Sequence, residues 1–300
     1  MVGKITAIIN TYNEEKNIER VIKSLDFVDE IIVCDMYSDD DTAVIAKKLG
    51  AKIILHKNEG YVEPARNFAI SKAAHEWILV VDADEEVQGS LANYLKEVVQ
   101  KQVVSTYIEI PRKNIIFGKW MKASMWWPDY NVRFFKKGSV EWSDQIHKKP
   151  KTAGQGVKLP GDEKWAIVHN HYQSVFEFVN RMNRYTDIQA KELKQRGYEF
   201  SWQDLISKPL NEFLSRFFAN RGFEDGLHGL ALSLLQAFSF LVLYLKLWED
   251  KKFNEQKISL EELRSEAKKA QIEINYWFKY GNLSKNPLAR FLQRAKNKIS

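Results

Sequence analysis

Apolar positions in the first hundred residues alternate between short unbroken runs and helical spacing. Trp77-Ile78-Leu79-Val80-Val81 is an unbroken run that ends in the acids Asp82, Asp84, Glu85 and Glu86. A run of this kind predicts a strand buried on both faces, as inside a parallel sheet. Ile5–Ile9, Glu30–Asp35 and Lys52–His56 predict three more strands upstream. Between them Ile18, Val21, Ile22 and Leu25 recur at helical spacing, and so do Val44, Ile45 and Leu49, which Gly50 stops. Ser38, Asp39, Asp40 and Asp41 are available to cap the second helix. A further helix around Ala65–Ala74 leads into the acid-tipped strand. Four β-α alternations predict an α/β fold: a Rossmann-like, mostly parallel sheet with helices on both faces.

Beyond residue 103 the pattern changes. Ser105–Pro111, Asn131–Phe135 and Lys164–His169 read as strands among irregular loops, and residues 174–197, 203–220 and 226–249 read as helices. The chain is thus expected to divide into an α/β domain, 1–172, and a helical C-terminal region, 173–300. Gly226–Leu245 has no charged residue apart from the titratable His228, and twenty such residues just span a bilayer. Phe213, Leu214, Phe217 and Phe218 with Arg216 and Arg221 form an amphipathic lead-in suited to a membrane interface. Basic residues flank the apolar helix on both sides and give no orientation signal, so an in-plane or packed helix is expected over a span.

Composition narrows the partners. The 300 residues are 45% hydrophobic and 28% charged, ordinary globular values that allow a sizeable core. Cys34 is the sole cysteine, which excludes an intrachain disulfide and fits a reducing compartment. Met1-Val2-Gly3-Lys4 runs into the first strand without a leader pattern, so a cytoplasmic catalytic domain is expected. The net charge of +6 is matched by the tail alone: Lys279, Lys285, Arg290, Arg294, Lys296 and Lys298 occur there without an acid. An anionic membrane surface, with no nucleic acid, is the expected partner of that tail, the protein lying peripherally on the cytoplasmic face of the inner membrane.

The chemistry gathers at strand ends, where ligands of open α/β sheets bind. Asp82 and Asp84 are two apart, so extended backbone sends both to one face, within reach of one hard cation and the phosphates it holds. Backbone groups of Thr11 and Tyr12 are placed to meet a nucleobase, with the Tyr12 ring as a stacking face. Asp35 can accept from uracil N–H or ribose hydroxyls, or cap a helix. Arg66 can pair with a diphosphate or base, or with a surface acid.

Several motifs together resemble family-2 glycosyltransferases of the GT-A fold, in the branch that adds sugars to lipopolysaccharide cores and related envelope glycans. They are Asn10-Thr11-Tyr12-Asn13-Glu14-Glu15, Asp35…Ser38-x-Asp40-x-Thr42, Glu63-Pro64-Ala65-Arg66-Asn67 and Asp82-Ala83-Asp84-Glu85. Trp126-Trp127-Pro128-Asp129-Tyr130, Trp142…His147 and Asn183-Arg184-Tyr185-Thr186 extend the match over roughly residues 4–250. The resemblance implies a UDP-sugar donor, a glycan or lipid-linked acceptor, a divalent metal (Mg²⁺ or Mn²⁺) and an inverting single displacement. It implies donor contacts from Thr11, Tyr12, Asn13, Glu14, Asp35, Arg66, Asn67, Asp82 and Trp127, and metal ligands from Asp82, Asp84, His147 and His171, with His169 a further candidate. The general base is Asp144 or Asp129, and His147-Lys148 stands where the branch often has His-Glu. Two other readings compete: a nucleotidyltransferase, disfavoured because the loop after the first strand has no glycine, and a non-catalytic membrane-attached nucleotide-sugar binding protein.

Overall fold

The computed structural model describes residues 3–58, 62–101, 104–143 and 149–281. Asp144, His147 and the tail beyond Gly281 lie outside them. The chain divides into two compact units, one of residues 1–115 and 127–171, the other of residues 116–126 and 172–300.

The first unit opens with β1 (Ile5–Thr11), α1 (Ile18–Lys23), β2 (Glu30–Asp35), α2 (Thr42–Lys48), β3 (Lys52–Leu55), α3 (Glu63–Ser71) and β4 (Trp77–Asp82). β5 (Glu85–Val87), α4 (Gly89–Gln100), β6 (Tyr107–Ile116) and, after β7 (Lys119–Trp120) of the second unit, β8 (Asp129–Lys136) follow. Short strands β9 (Val140–Glu141), β10 (Lys151–Thr152) and β11 (Gly156–Lys158) precede β12 (Ile167–Tyr172). β3, β2, β1 and β4 run parallel in that order, as the alternation predicted. The sheet then continues through β8, β6, β12 and β5 and becomes mixed, because β4–β8, β6–β8 and β12–β5 are antiparallel. Lys164, expected in a strand, is instead in a 3-10 turn that leads into β12.

Period-2 alternation sends each strand's apolar residues into two separate cores. Ala7, Ile9, Leu79 and Val81 pack with Ile18, Val21, Leu91 and Leu95 of α1 and α4. Ile8, Ile32, Ile78 and Val80 pack on the other face with Ala65, Ala69 and Ile70 of α3. Each fully buried Ile or Leu contributes about 1.5–3 kcal/mol. That two-sided burial is why the run ahead of Asp82 contains no polar residue. Trp77 stacks on Phe134 at 4.8 Å, and Trp142 is buried against Phe135, so both are core tryptophans.

The second unit contains α5 (Val175–Gln195), α6 (Asp204–Leu214), α7 (Leu227–Asp250) and α8 (Leu260–Tyr280). The helix expected over 203–220 ends early, and Ser215–Ala219 form a π turn. Segment 116–126 packs here: Ile116 and Met121 share a core with Phe178, Met182 and Leu232. The buried Asp225 carboxylate accepts the backbone N–H of Lys122 (3.0 Å) and Ala123 (2.8 Å). α7 starts close against the preceding turn, where a Cβ at Gly229 would lie 1.8 Å from the Gly222 carbonyl oxygen. Lys246 of α7 donates to Asn183 Oδ1 (2.8 Å) and Asp187 (2.6 Å) of α5, which accounts for Asn183 in structural terms.

Candidate active site

The carboxyl ends of β1, β2 and β4 carry Thr11, Asp35 and Asp82 in register: Asn10 pairs with Asp82, and Thr11 with Asp35. Asp35 is buried and accepts from the Ser38 N–H (3.1 Å) and hydroxyl (2.5 Å). The N-cap of α2 is Asp41, which makes no side-chain cap bond; Asp40 Oδ1 accepts the Thr42 N–H at 2.9 Å and its Oδ2 the Glu15 N–H at 3.1 Å. The loop after β1 is therefore tied to the loop after β2. Asn13, at φ 55°, donates its N–H to Ser38 Oγ (2.9 Å), and Glu14 donates its own to Thr42 Oγ1 (2.8 Å). Thr11 is buried and Tyr12 is 38% exposed, so its ring face is accessible. Asn67 bonds both ways to the Trp142 backbone, at 2.8 and 3.0 Å, and so pins that stretch to α3. Trp127 precedes Pro128 through a cis peptide bond.

Asp82 sits in an arginine cluster. Arg66 of α3 donates to its Oδ1 at 2.9 Å, and Arg133 of β8 to its Oδ2 at 2.5 Å. Burial pushes the Asp82 carboxyl up, but Arg133 and Arg66 outweigh it and hold it well below the usual carboxylate range. Burial likewise opposes charge on Arg133, and Asp82 and Glu85 override it and raise its pKa. Asp129 lies directly across from Arg112 on the antiparallel β6–β8 pair. Its Oδ2 accepts from Arg112 Nε (2.8 Å) and Nη2 (2.5 Å) and from Asn114 Nδ2 (3.3 Å).

Asp84 faces the opposite end of this network. Its Oδ2 is 3.3 Å from His169 Nε2, while His169 Nδ1 lies 2.6 Å from Asn114 Oδ1. Because Asn114 turns its NH₂ toward the Asp129 carboxylate, its oxygen faces His169, and that assigns the ring proton to Nδ1. Nε2 then faces a carboxylate oxygen, across a gap that a shared proton or cation fills. This donor set of carboxylate and imidazole fits a divalent cation completed by phosphate oxygens and water. The His171 ring lies 4.4 Å from that of His169. Among the described residues no group of three or more His, Cys, Asp or Glu is gathered to hold a metal without further ligands. Asp82, expected to share the ion with Asp84, pairs with Arg66 and Arg133. Arg112, Arg133 and Asn114 were not read from the sequence, and Glu85 was read there only as one of the acids after the buried run. The one available signal was Arg133, which interrupts the otherwise apolar Val132–Phe135.

An acid- and arginine-lined site at the carboxyl edge of a Rossmann-like sheet lies where open α/β proteins bind their ligands. The family described as Glycosyl transferase family 2 matches residues 6–152. An uncharacterized glycosyltransferase of Rickettsia typhi (strain ATCC VR-144 / Wilmington) is 32% identical over 258 residues, covering 82% of this chain and 87% of its own. The lipopolysaccharide core biosynthesis glycosyltransferase LpsC of Rhizobium meliloti (strain 1021) is 22% identical over 236 residues, covering 75% and 84%. Among solved structures, residues 1–349 of S. aureus TarS in complex with UDP align with a TM-score of 0.44 at 18% identity, over 86% of this chain and 94% of that one. The chain belongs to glycosyltransferase family 2.

Proposed function

We propose that this protein transfers a sugar from a UDP-linked donor to a hydroxyl of a glycan or lipid-linked cell-envelope acceptor, with inversion. The observation that carries this reading is the convergence of Asp35, Arg66, Asp82 and Asp84 beyond the carboxyl ends of β1, β2 and β4. The relative named for lipopolysaccharide core biosynthesis supports the class of acceptor. Asp35 exchanges its Ser38 contacts for the nucleobase or ribose, and Tyr12 offers a ring face to the base. Arg66 leaves Asp82 Oδ1 for the diphosphate, while Arg133 keeps Asp82 compensated. Asp84 with His169, and with His171 or His147, would hold Mg²⁺ or Mn²⁺. A divalent ion there supplies charge neutralisation for the departing diphosphate. Asp129 is already occupied by Arg112, Asn114 and Asn131, which leaves Asp144 to take the acceptor's proton.

Attachment to an anionic membrane belongs to the same proposal. α7 is the described helix long and apolar enough to cross a bilayer, with a mean hydropathy of 1.9 over its best window, of which 33% is buried. Leu227, Leu234 and Phe238 are exposed on it, and they suit an in-plane seat against lipid. Incubating the protein with a panel of UDP-sugars and Mn²⁺ or Mg²⁺ and measuring UDP release tests the reading. Metal-dependent release is expected. A folded protein that releases no UDP from any of them overturns it, and UDP binding without release would instead favour a non-catalytic binding protein.

A further inference from the structure

Glu85 has no part in the transfer chemistry proposed above, yet it is the member of the acid cluster whose side chain is wholly out of solvent, at 0% exposure. A buried carboxylate is tolerated only where it is paired and hydrogen-bonded. Its Oε2 accepts the Asp82 N–H at 2.9 Å and closes the turn in which β4 ends. Its Oε1 accepts from Arg133 at 2.6 Å and faces Arg112 Nη1 at 3.4 Å. Both arginines then reach past it: Arg133 to Asp82 Oδ2, and Arg112 to Asp129 Oδ2. The two outer carboxylates come from different strands, β4 and β8, yet one oxygen of Glu85 lines up the guanidiniums that grip them.

We infer that Glu85 is the positioning residue of the site, fixing Asp82 and Asp129 relative to each other through Arg133 and Arg112. Formal charge alone does not require it there. A carboxylate anywhere nearby would balance the three arginines, whereas the bond to the Asp82 N–H and the shared Oε1 demand this side chain at this point. The inference rests on the transfer reading for its catalytic consequence, though not for the geometry itself.

Glu85→Gln keeps an oxygen for the Asp82 N–H but loses the charge that aligns the arginines. Turnover with the best UDP-sugar is expected to fall about 10²-fold, the scale of a misplacement of about 1 Å. Adding Glu85→Gln to Asp129→Asn should cost less than the product of the two single costs, because part of the effect of Glu85 passes through Asp129. Costs that simply multiply would overturn the inference. Glu85→Asp keeps the charge on a stem one methylene shorter, and serves where Glu85→Gln does not fold. It should also lose turnover, and full turnover in either folded variant refutes the role. The same cycle read by urea unfolding needs no activity. A coupling of about 10-fold in the unfolding constant between positions 85 and 129 is expected, and none would sink the proposal. Wild-type protein without UDP release overturns the functional reading and leaves the unfolding cycle to decide on Glu85.

Discussion

Arg133→Met removes the cation shared by Asp82 and Glu85 and keeps an apolar stem of similar length. In the native protein its Nη2 lies 2.5 Å from Asp82 Oδ2 and 2.6 Å from Glu85 Oε1, and its side chain is 3% exposed. Arg66 still holds Asp82 at 2.9 Å, and Arg112 faces Glu85 at 3.4 Å, so neither carboxylate is stranded completely. Breaking a buried pair from one side costs about 3–5 kcal/mol. At about 2–4 °C per kcal/mol for a domain of this size, that is a fall in Tm of about 6–20 °C. The pH dependence follows from sign. Asp82 has a depressed folded pKa, so its stabilisation is fully present above its unfolded value of about 3.9 and is lost as pH falls through the folded value. Without Arg133 the buried Asp82 carboxylate is held less far below its usual range, and the penalty shrinks as it takes up a proton. The gap between wild type and variant should therefore be widest near pH 7 and narrow toward pH 4. Urea unfolding at pH 7, 5.5 and 4 measures it. A loss below about 1 kcal/mol at pH 7, or a gap unchanged with pH, would refute the reasoning.

Asp84→Ala should abolish UDP release while far-ultraviolet circular dichroism stays native; release at the wild-type rate would remove Asp84 from the metal role. Asp144→Asn should slow turnover about 10²–10⁴-fold with UDP affinity kept, and a smaller effect than that of Asp129→Asn would return the base to Asp129. Burial, and then the neighbouring Asp35, push the Cys34 thiol up to about 12, so native protein should resist iodoacetamide at pH 8 and react once unfolded; rapid native labelling would contradict that burial. Truncation after Lys279 should leave vesicle binding intact but remove the preference for anionic lipid, and full-length protein indifferent to anionic vesicles at low salt would end the membrane reading.

The parallel half of the sheet was legible because β1, β2 and β4 are buried on both faces, and a strand so placed has little choice but to be apolar throughout. The acids at its end were legible for the same reason, as the first polar residues after such a run. Arg112 and Arg133 were not, since each meets its partners across strands, and no spacing in the chain announces that Arg112 will face Asp129. The alternation through Ser105–Pro111 also looked finished at Pro111, yet β6 runs on to Ile116. α8 was missed because its apolar positions are sparse among Glu and Lys. Its start was nonetheless written in Ser259 and Glu262, which form a capping box, with Ser259 Oγ accepting the Glu262 N–H at 3.1 Å and Glu262 Oε2 the Ser259 N–H at 2.9 Å.

Segment 116–126 lies within the α/β stretch of the sequence but belongs by its packing to the helical unit, and this matters during synthesis. Domains fold as the chain emerges, N-terminal first. By the time residue 172 has left the ribosome every strand of the sheet is available, yet Ile116 and Met121 still lack Phe178, Met182 and Leu232. The N–H groups of Lys122 and Ala123 wait longer for Asp225. A nascent chain stalled near residue 175 should thus expose this loop to a protease, and one stalled well past α7 should protect it. The site's first half is complete while the polypeptide is still half made, and the excursion beside Trp127 is among the last pieces to settle.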